Sequence, residues 1–148
     1  MSKQKTQTQI VSNAGMYYVC YRLSLLGWNV MPTSRNAKGV DIVAYSPDGN
    51  TFVGIQVKTL SSPANVPIGR TIDDQKRIWI IVVLSDPASN SANAKPTAFI
   101  LTKEEINHLK DEYEKKGKKS LWIHKQKYFD KPGFKENWNR LKDQIYNK

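Results

Sequence analysis

Seven apolar residues stand in succession at positions 78–84, IWIIVVL, and they decide much of what this chain can fold into. The run falls well short of the about 20 residues that cross a bilayer. Its length and β-branched composition are those of a strand, and without polar alternation that strand must be buried on both faces. It lies mid-sheet and needs cover above and below. In a chain of 148 residues, 39% of them apolar and 24% charged, the cover has to come from the same single domain. An α/β fold is expected, with a mixed β-sheet core of about 4–5 strands flanked by helices.

Ser12 or Asn13 can cap a helix over 14–26, in which Met16, Val19, Leu23 and Leu26 recur at helical spacing and after which Gly27 is a natural stop. Residues 1–11 then form a flexible tail ahead of one domain, 12–148, made of a core over 12–102 and a helical extension over 103–148. A short strand at 28–31 ends at Pro32, and the polar connector TSRNAKG follows at 33–39. The turn PDGN at 47–50 separates two β-branched runs, a hairpin signal. SSPANVPIGR at 61–70 reads as a loop, and TAFIL at 97–101 as a further strand. Thr102 and Glu105 make a capping box that opens a helix through KEEINHLKDEYEKKG, ended by Gly117. SLWIHKQKY is expected as a short edge strand, and FKENWNRLKDQIYNK as a closing helix with Phe134, Trp138, Leu141 and Ile145 on one face.

The hairpin carries an unusual set of polar residues. Side chains alternate along a strand, so Gln56 and Lys58 share one face while Val53, Ile55 and Val57 share the other. If Ser46 faces Thr51 across the PDGN turn, Asp41 falls opposite Gln56, and a carboxylate, an amide and an ammonium gather on one sheet face. That trio suits phosphodiester hydrolysis: oxygen ligands hold a hard cation such as Mg²⁺ or Mn²⁺, and a lysine orients water or steadies developing charge. A cross-strand ion pair on a wet face is the plainer alternative. No glutamate precedes Glu104, so Asp41, Asp48, Asp73, Asp74 and Asp86 are the only carboxylates available to a metal site in that part of the chain.

The order of a helix ending in GW, a short strand, GVDIVAY, a turn, VGIQVKT, a loop and an apolar strand resembles the PD-(D/E)XK nuclease superfamily over roughly positions 12–102. Restriction enzymes and Holliday-junction resolvases share that restriction endonuclease-like fold. The resemblance implies that Asp41 is a metal ligand, that Gln56 stands at the second acidic position, that the Val57 carbonyl is the backbone ligand, and that Lys58 is the catalytic lysine. Two departures stand out. Gln56 replaces an acid, and the pair GM places Met16 where the family often has a glutamate on its first helix. The implied activity is that of a DNA-directed, Mg²⁺- or Mn²⁺-dependent endonuclease or resolvase-like enzyme. The alternative is a catalytically silent protein of the same fold that binds DNA or a protein partner.

A formal net charge of +10 favours a polyanionic partner, and it also aids solubility. Arg35 and Lys38 precede Asp41, and Arg70, Lys76 and Arg77 flank the connection into the apolar strand; all five are candidate DNA contacts. The basic patch KKGKK at 115–119 reads equally as a set of helix-end lysines. Tyr17, Tyr18 and Tyr21 cannot all face inward with Met16 and Val19, which is compatible with a homodimer or a DNA contact. Cys20, the only cysteine, reads as a small core residue, and His108 and His124 as surface residues without metal-ligand spacing. The lack of an apolar leader or membrane span gives a soluble, cytoplasmic expectation. No phosphate-cradling GxxxxGK[ST], GxSxG or paired CxxC motif occurs, which argues against nucleotide hydrolases, serine hydrolases and zinc ribbons.

Overall fold

The structure, a computed structural model, describes residues 2–33, 40–85 and 95–146, with side chains over 7–144 of that range. The apolar run forms β5 (Ile78–Val83), buried at every position. It lies in a mixed five-stranded sheet of order β1-β2-β3-β5-β6, with β1 at Asn29–Pro32, β2 at Ile42–Tyr45, β3 at Phe52–Leu60 and β6 at Thr97–Thr102. β3 and β5 are parallel, and the other neighbours are antiparallel. The fold is α/β, as the buried strand requires.

The two faces of β5 divide the core. Ile78, Ile80 and Val82 join Val53, Ile55 and Val57 of β3 under α1 (Ser2–Leu25), which contributes Val19 and Leu23. α1 starts well before the expected position 14, so Ser12 and Asn13 lie inside the helix and cap nothing, and residues 2–11 of the expected tail belong to it. Gly15 sets the closeness of this packing. A Cβ there would collide with the Thr59 side chain on β3. Gly15→Ala is therefore expected to push α1 off the sheet and cost about 2 kcal/mol, an overpacking effect read as a lower midpoint in urea unfolding.

On the opposite face, Trp79, Ile81 and Val83 pack with Phe99 and Leu101 of β6 against a second, three-stranded sheet of order β4-β8-β7. Its strands are β4 (Val66–Gly69), β7 (Asp111–Lys115) and β8 (Lys118–Ile123). Three expectations change here. The segment 61–70 contains β4, an edge strand with a register irregularity after Pro67, and an edge is where a strand tolerates proline. The capping box of Thr102 and Glu105 forms as expected, but its helix, α2, covers only Lys103–Leu109, and the rest of the expected helix is β7. Gly117 does not end a helix: with Lys116 it adopts positive φ (53° and 75°), the backbone of a tight hairpin turn between β7 and β8. The expected edge strand, β8, is central in its sheet.

The C-terminal helix is shorter than expected. Two short helices, α3 (Lys125–Tyr128) and α4 (Arg140–Tyr146), complete the chain, with Phe134 and Trp138 ahead of α4. Trp138 and Leu141 close the core on the α1 side, where Tyr18 meets the Trp138 ring edge-on at 6.3 Å. Glu105, which burial alone would push up, is held below the ordinary carboxylate range by Arg140 at 2.6 Å and by the Thr102 amide and hydroxyl, so one carboxylate ties α4 to the start of α2. Among the described residues no helix is long and apolar enough to cross a membrane.

Candidate functional site

The turn at 47–50 fixes the geometry of the hairpin beyond it. Asp48 accepts from the Ser46 hydroxyl and from the Asn50 amide, and Gly49 takes the positive φ that the turn demands. The resulting register pairs Ile42 with Ile55 and Tyr45 with Phe52, the pairing expected from the sequence. One step beyond Ile42 the ladder ends, and Asp41 turns its side chain across to β3. Its Oδ2 accepts from Gln56 Nε2 at 2.6 Å and from the Val57 amide at 2.9 Å. Asp41 and Gln56 thus meet as the spacing predicts. Both bonds land on one oxygen, and among the described residues Oδ1 takes no hydrogen bond from the protein.

The backbone of β3 adds a further ligand. Asp41 N–H bonds the Ile55 carbonyl, whereas Arg77 and Leu84 N–H groups bond the carbonyls of Gly54 and Leu60. Odd-numbered residues of β3 therefore direct their backbone groups toward β2, and even-numbered ones toward β5. Since β2 has ended by Val57, the Val57 carbonyl faces the same side as its own N–H, beside Asp41 and outside the ladder.

Gln56 and Lys58 stand on the other face from α1, alongside Trp79 and Ile81 of β5. Gln56 is buried, and Lys58 is half-buried next to this apolar wall. Burial pushes the Lys58 ammonium below its ordinary value of 10.5, the Lys76 charge pushes it further, and Asp41 only partly opposes them. The chain reaches this point because 70–77 runs back beside β3: the Gln75 carbonyl and the Val40 side chain fill the space over Gly54 that a Cβ would take. Lys76 in turn pairs with Asp73 at 3.6 Å and lies 5.6 Å from the centre of the Trp79 ring. The influence of Lys76 on Lys58 escaped the sequence, which offered Lys76 only as a DNA contact.

A depressed lysine is also a stability statement. The fold disfavours charged Lys58, so between the lowered value and 10.5 the unfolded chain binds more protons and stability rises with pH; below that window the penalty is fully present. Lys58→Met is expected to stabilise the protein by about 1 kcal/mol at neutral pH, as removal of strained functional groups commonly does. The advantage over wild type should shrink as pH climbs toward 10.5, measured by urea unfolding across that range.

The remaining candidates scatter. Arg35 and Lys38 lie outside the described residues. Asp73 is bound to Lys76, and Asp74 pairs with Lys103 at 3.3 Å, so neither supplies a second acid beside Asp41. Arg77 is exposed in a separate cleft with Asp74, Lys103 and Glu104, and Arg70 is exposed beyond the end of β4. Tyr17 and Tyr21 stand 68% and 60% exposed on α1, while Tyr18 turns inward. Cys20 is half-buried against the core, and burial raises its thiol, in keeping with an inert packing role.

The donors around Asp41 are all hard oxygens: its carboxylate, the Val57 carbonyl and, on rotation of the amide, Gln56 Oε1. They suit Mg²⁺ or Mn²⁺ in type. In charge they are lean, since among the described residues no group of three or more His, Cys, Asp or Glu side chains gathers anywhere. Lys58 and Lys76 bring positive charge beside Asp41, and the Asp73 carboxylate paired with Lys76 offsets part of it. No protein-family model matches this chain, and no curated protein or solved structure is significantly similar to it.

Proposed function

We propose that the protein is a DNA-directed, divalent-metal-dependent phosphodiesterase of the PD-(D/E)XK type, an endonuclease or resolvase-like enzyme acting in the cytoplasm. The observation that supports it most is the meeting of Asp41, Gln56 and the Val57 amide at a single carboxylate oxygen, with a desolvated lysine on the same face. Asp41, the Val57 carbonyl and Gln56 would hold Mg²⁺ or Mn²⁺, which when bound polarises the scissile phosphate. Lys58 lies where it can orient the attacking water and, with its lowered proton affinity, accept the proton that water sheds. Lys76 beside it keeps the site attractive to the phosphodiester. Exposed Tyr17 and Tyr21 are in keeping with a homodimer that presents two sites to two strands.

A second reading has its own support. Gln56 turns its N–H groups, not its oxygen, to Asp41, leaving one negative charge to hold a divalent ion. A silent member of the same fold, binding DNA or a protein without cutting, would look the same. Calorimetric titration of Mn²⁺ with and without a non-cleavable duplex separates the two. Metal binding that needs DNA and is lost in Asp41→Asn supports the enzyme; no metal binding under either condition overturns it in favour of the silent reading.

A further inference from the structure

The three-stranded sheet has an outer face that the site at Asp41 does not use. Leu121 and Ile123 of β8 turn inward to the core, as do Val66 and Ile68 of β4. Lys118, Ser120 and Trp122 consequently turn outward, next to Pro67 of β4 and to Lys115, Tyr113 and Asp111 of β7, with which they pair; Asp111 is itself bound to Lys127 at 2.7 Å. The result is a groove of about 470 Å³ between β4 and the hairpin tip. Trp122 and Pro67 line its floor, and Arg70, Lys115, Lys116 and Lys118 stand around it with no ion pair among the described residues; Lys119, also on the rim, pairs with Glu112 at 3.2 Å. No carboxylate lines it.

The chain path connects this groove to the strand beside the Asp41 site. The chain leaves β3 at Leu60 and re-enters the sheet at Ile78, beside Ile55, so residues 61–77 must travel back the length of β3. β4 lies on that return path, and Arg70 follows it. β8 is antiparallel to β4, so Lys118 and the Lys116–Gly117 turn sit at the Arg70 end.

Unpaired cations around an accessible tryptophan answer to one class of ligand better than to others. The phosphates of a nucleic acid match the lysines, and the indole offers a face on which a base can stack. Bases inside a duplex are already stacked on each other and leave the indole nothing to hold, whereas an unpaired strand presents them freely. We propose that this groove binds an unpaired stretch of nucleic acid, with Arg70, Lys115 and Lys118 on its backbone and a base stacked on Trp122. The groove would then hold a displaced or single strand, whether or not the Asp41 site turns over.

The four tryptophans make the test direct. Trp28, Trp79 and Trp138 are buried, at 4%, 0% and 5% exposure, and only Trp122 is accessible to a ligand. Titration of the full chain with a short oligothymidylate, with chelator present so that no metal chemistry enters, is expected to quench tryptophan emission. Trp122→Phe should abolish the quench, and Trp122→Ala should weaken binding about tenfold by fluorescence anisotropy of a labelled oligonucleotide. Lys115→Ser and Lys118→Ser, exposed changes that leave the core untouched, should each lower the salt slope by about 0.7. A quench that persists in Trp122→Phe, or affinity and slope unchanged in both lysine variants, would overturn the assignment. So would a duplex that binds as tightly with the same lysine dependence and no quench, since that marks a merely charged surface. Oligonucleotide binding at the groove with no Mn²⁺ binding at Asp41, with or without a duplex, would remove the catalytic reading and leave this one standing; duplex cleavage with groove variants that bind like wild type would do the reverse.

Discussion

Asp41→Asn is expected to lower the single-turnover rate of DNA cleavage in Mn²⁺ by about a thousandfold, the loss typical of removing a principal electrostatic contributor to a reaction centre. The substitution keeps the shape of the side chain, and an amide oxygen can still accept from the Val57 N–H, so the β2–β3 register should survive. What disappears is the carboxylate that meets Gln56 and the Val57 amide. Lys58→Ala should be about as damaging, and Lys58→Arg tells how the lysine works. Arginine keeps a positive charge but cannot release its proton at any ordinary pH. If Lys58 takes the proton of the attacking water, arginine will be as inactive as alanine, and the wild-type rate will climb with pH until the depressed ammonium has titrated. If it acts by charge alone, arginine will retain a good part of the rate. Wild-type cleavage in both Asp41→Asn and Lys58→Ala would dispose of the catalytic assignment.

The same residues show why this site was readable from the sequence. Asp41 and Gln56 are brought together by a turn whose residues announce it: Asp48 and Gly49 fix the turn, the turn fixes the register, and the register decides which side chains face each other. IWIIVVL likewise has one comfortable place, between two apolar layers. Local signals sufficed where the fold was determined locally.

Where distant surfaces decided, they failed. The stretch from Lys103 to Gly117 opens with a capping box and is rich in good helix formers, yet the helix stops at Leu109. The apolar face made by Trp79, Ile81, Phe99 and Leu101 needs a cover, and β8 supplies it with Leu121 and Ile123; β7 then gains more as the partner of β8 than as two further turns of a polar helix. The Lys116-Gly117 pair was the available hint, a two-residue turn with glycine second. Val66 and Ile68 alternate about Pro67 and signalled β4, but proline speaks against a strand unless the strand is known to be an edge. The basic groove was therefore hidden: its lysines read equally as the end of a helix that in fact stops at Leu109.

Gln56→Glu tests the leanness of the metal site from the opposite direction. The glutamine donates to Asp41 at 2.6 Å from a buried position, so an ionised glutamate there faces Asp41 with no proton to share. Two carboxylates that close together repel, and one of them should hold its proton to an unusually high pH. The metal-free variant should accordingly be less stable than wild type by about 1–3 kcal/mol, through the lost hydrogen bond and the buried charge. A divalent cation reverses the sign of that interaction. With Asp41 and the introduced glutamate both ionised, the added negative charge should raise Mn²⁺ affinity on the order of tenfold to a hundredfold, and saturating Mn²⁺ should restore the midpoint of thermal unfolding. Calorimetry and thermal melts with and without Mn²⁺ read both effects on one sample. A variant destabilised in the same measure with metal as without it would show that Asp41, Gln56 and the Val57 carbonyl enclose no cation site, and that the hydrogen bonds at Asp41 serve the fold alone.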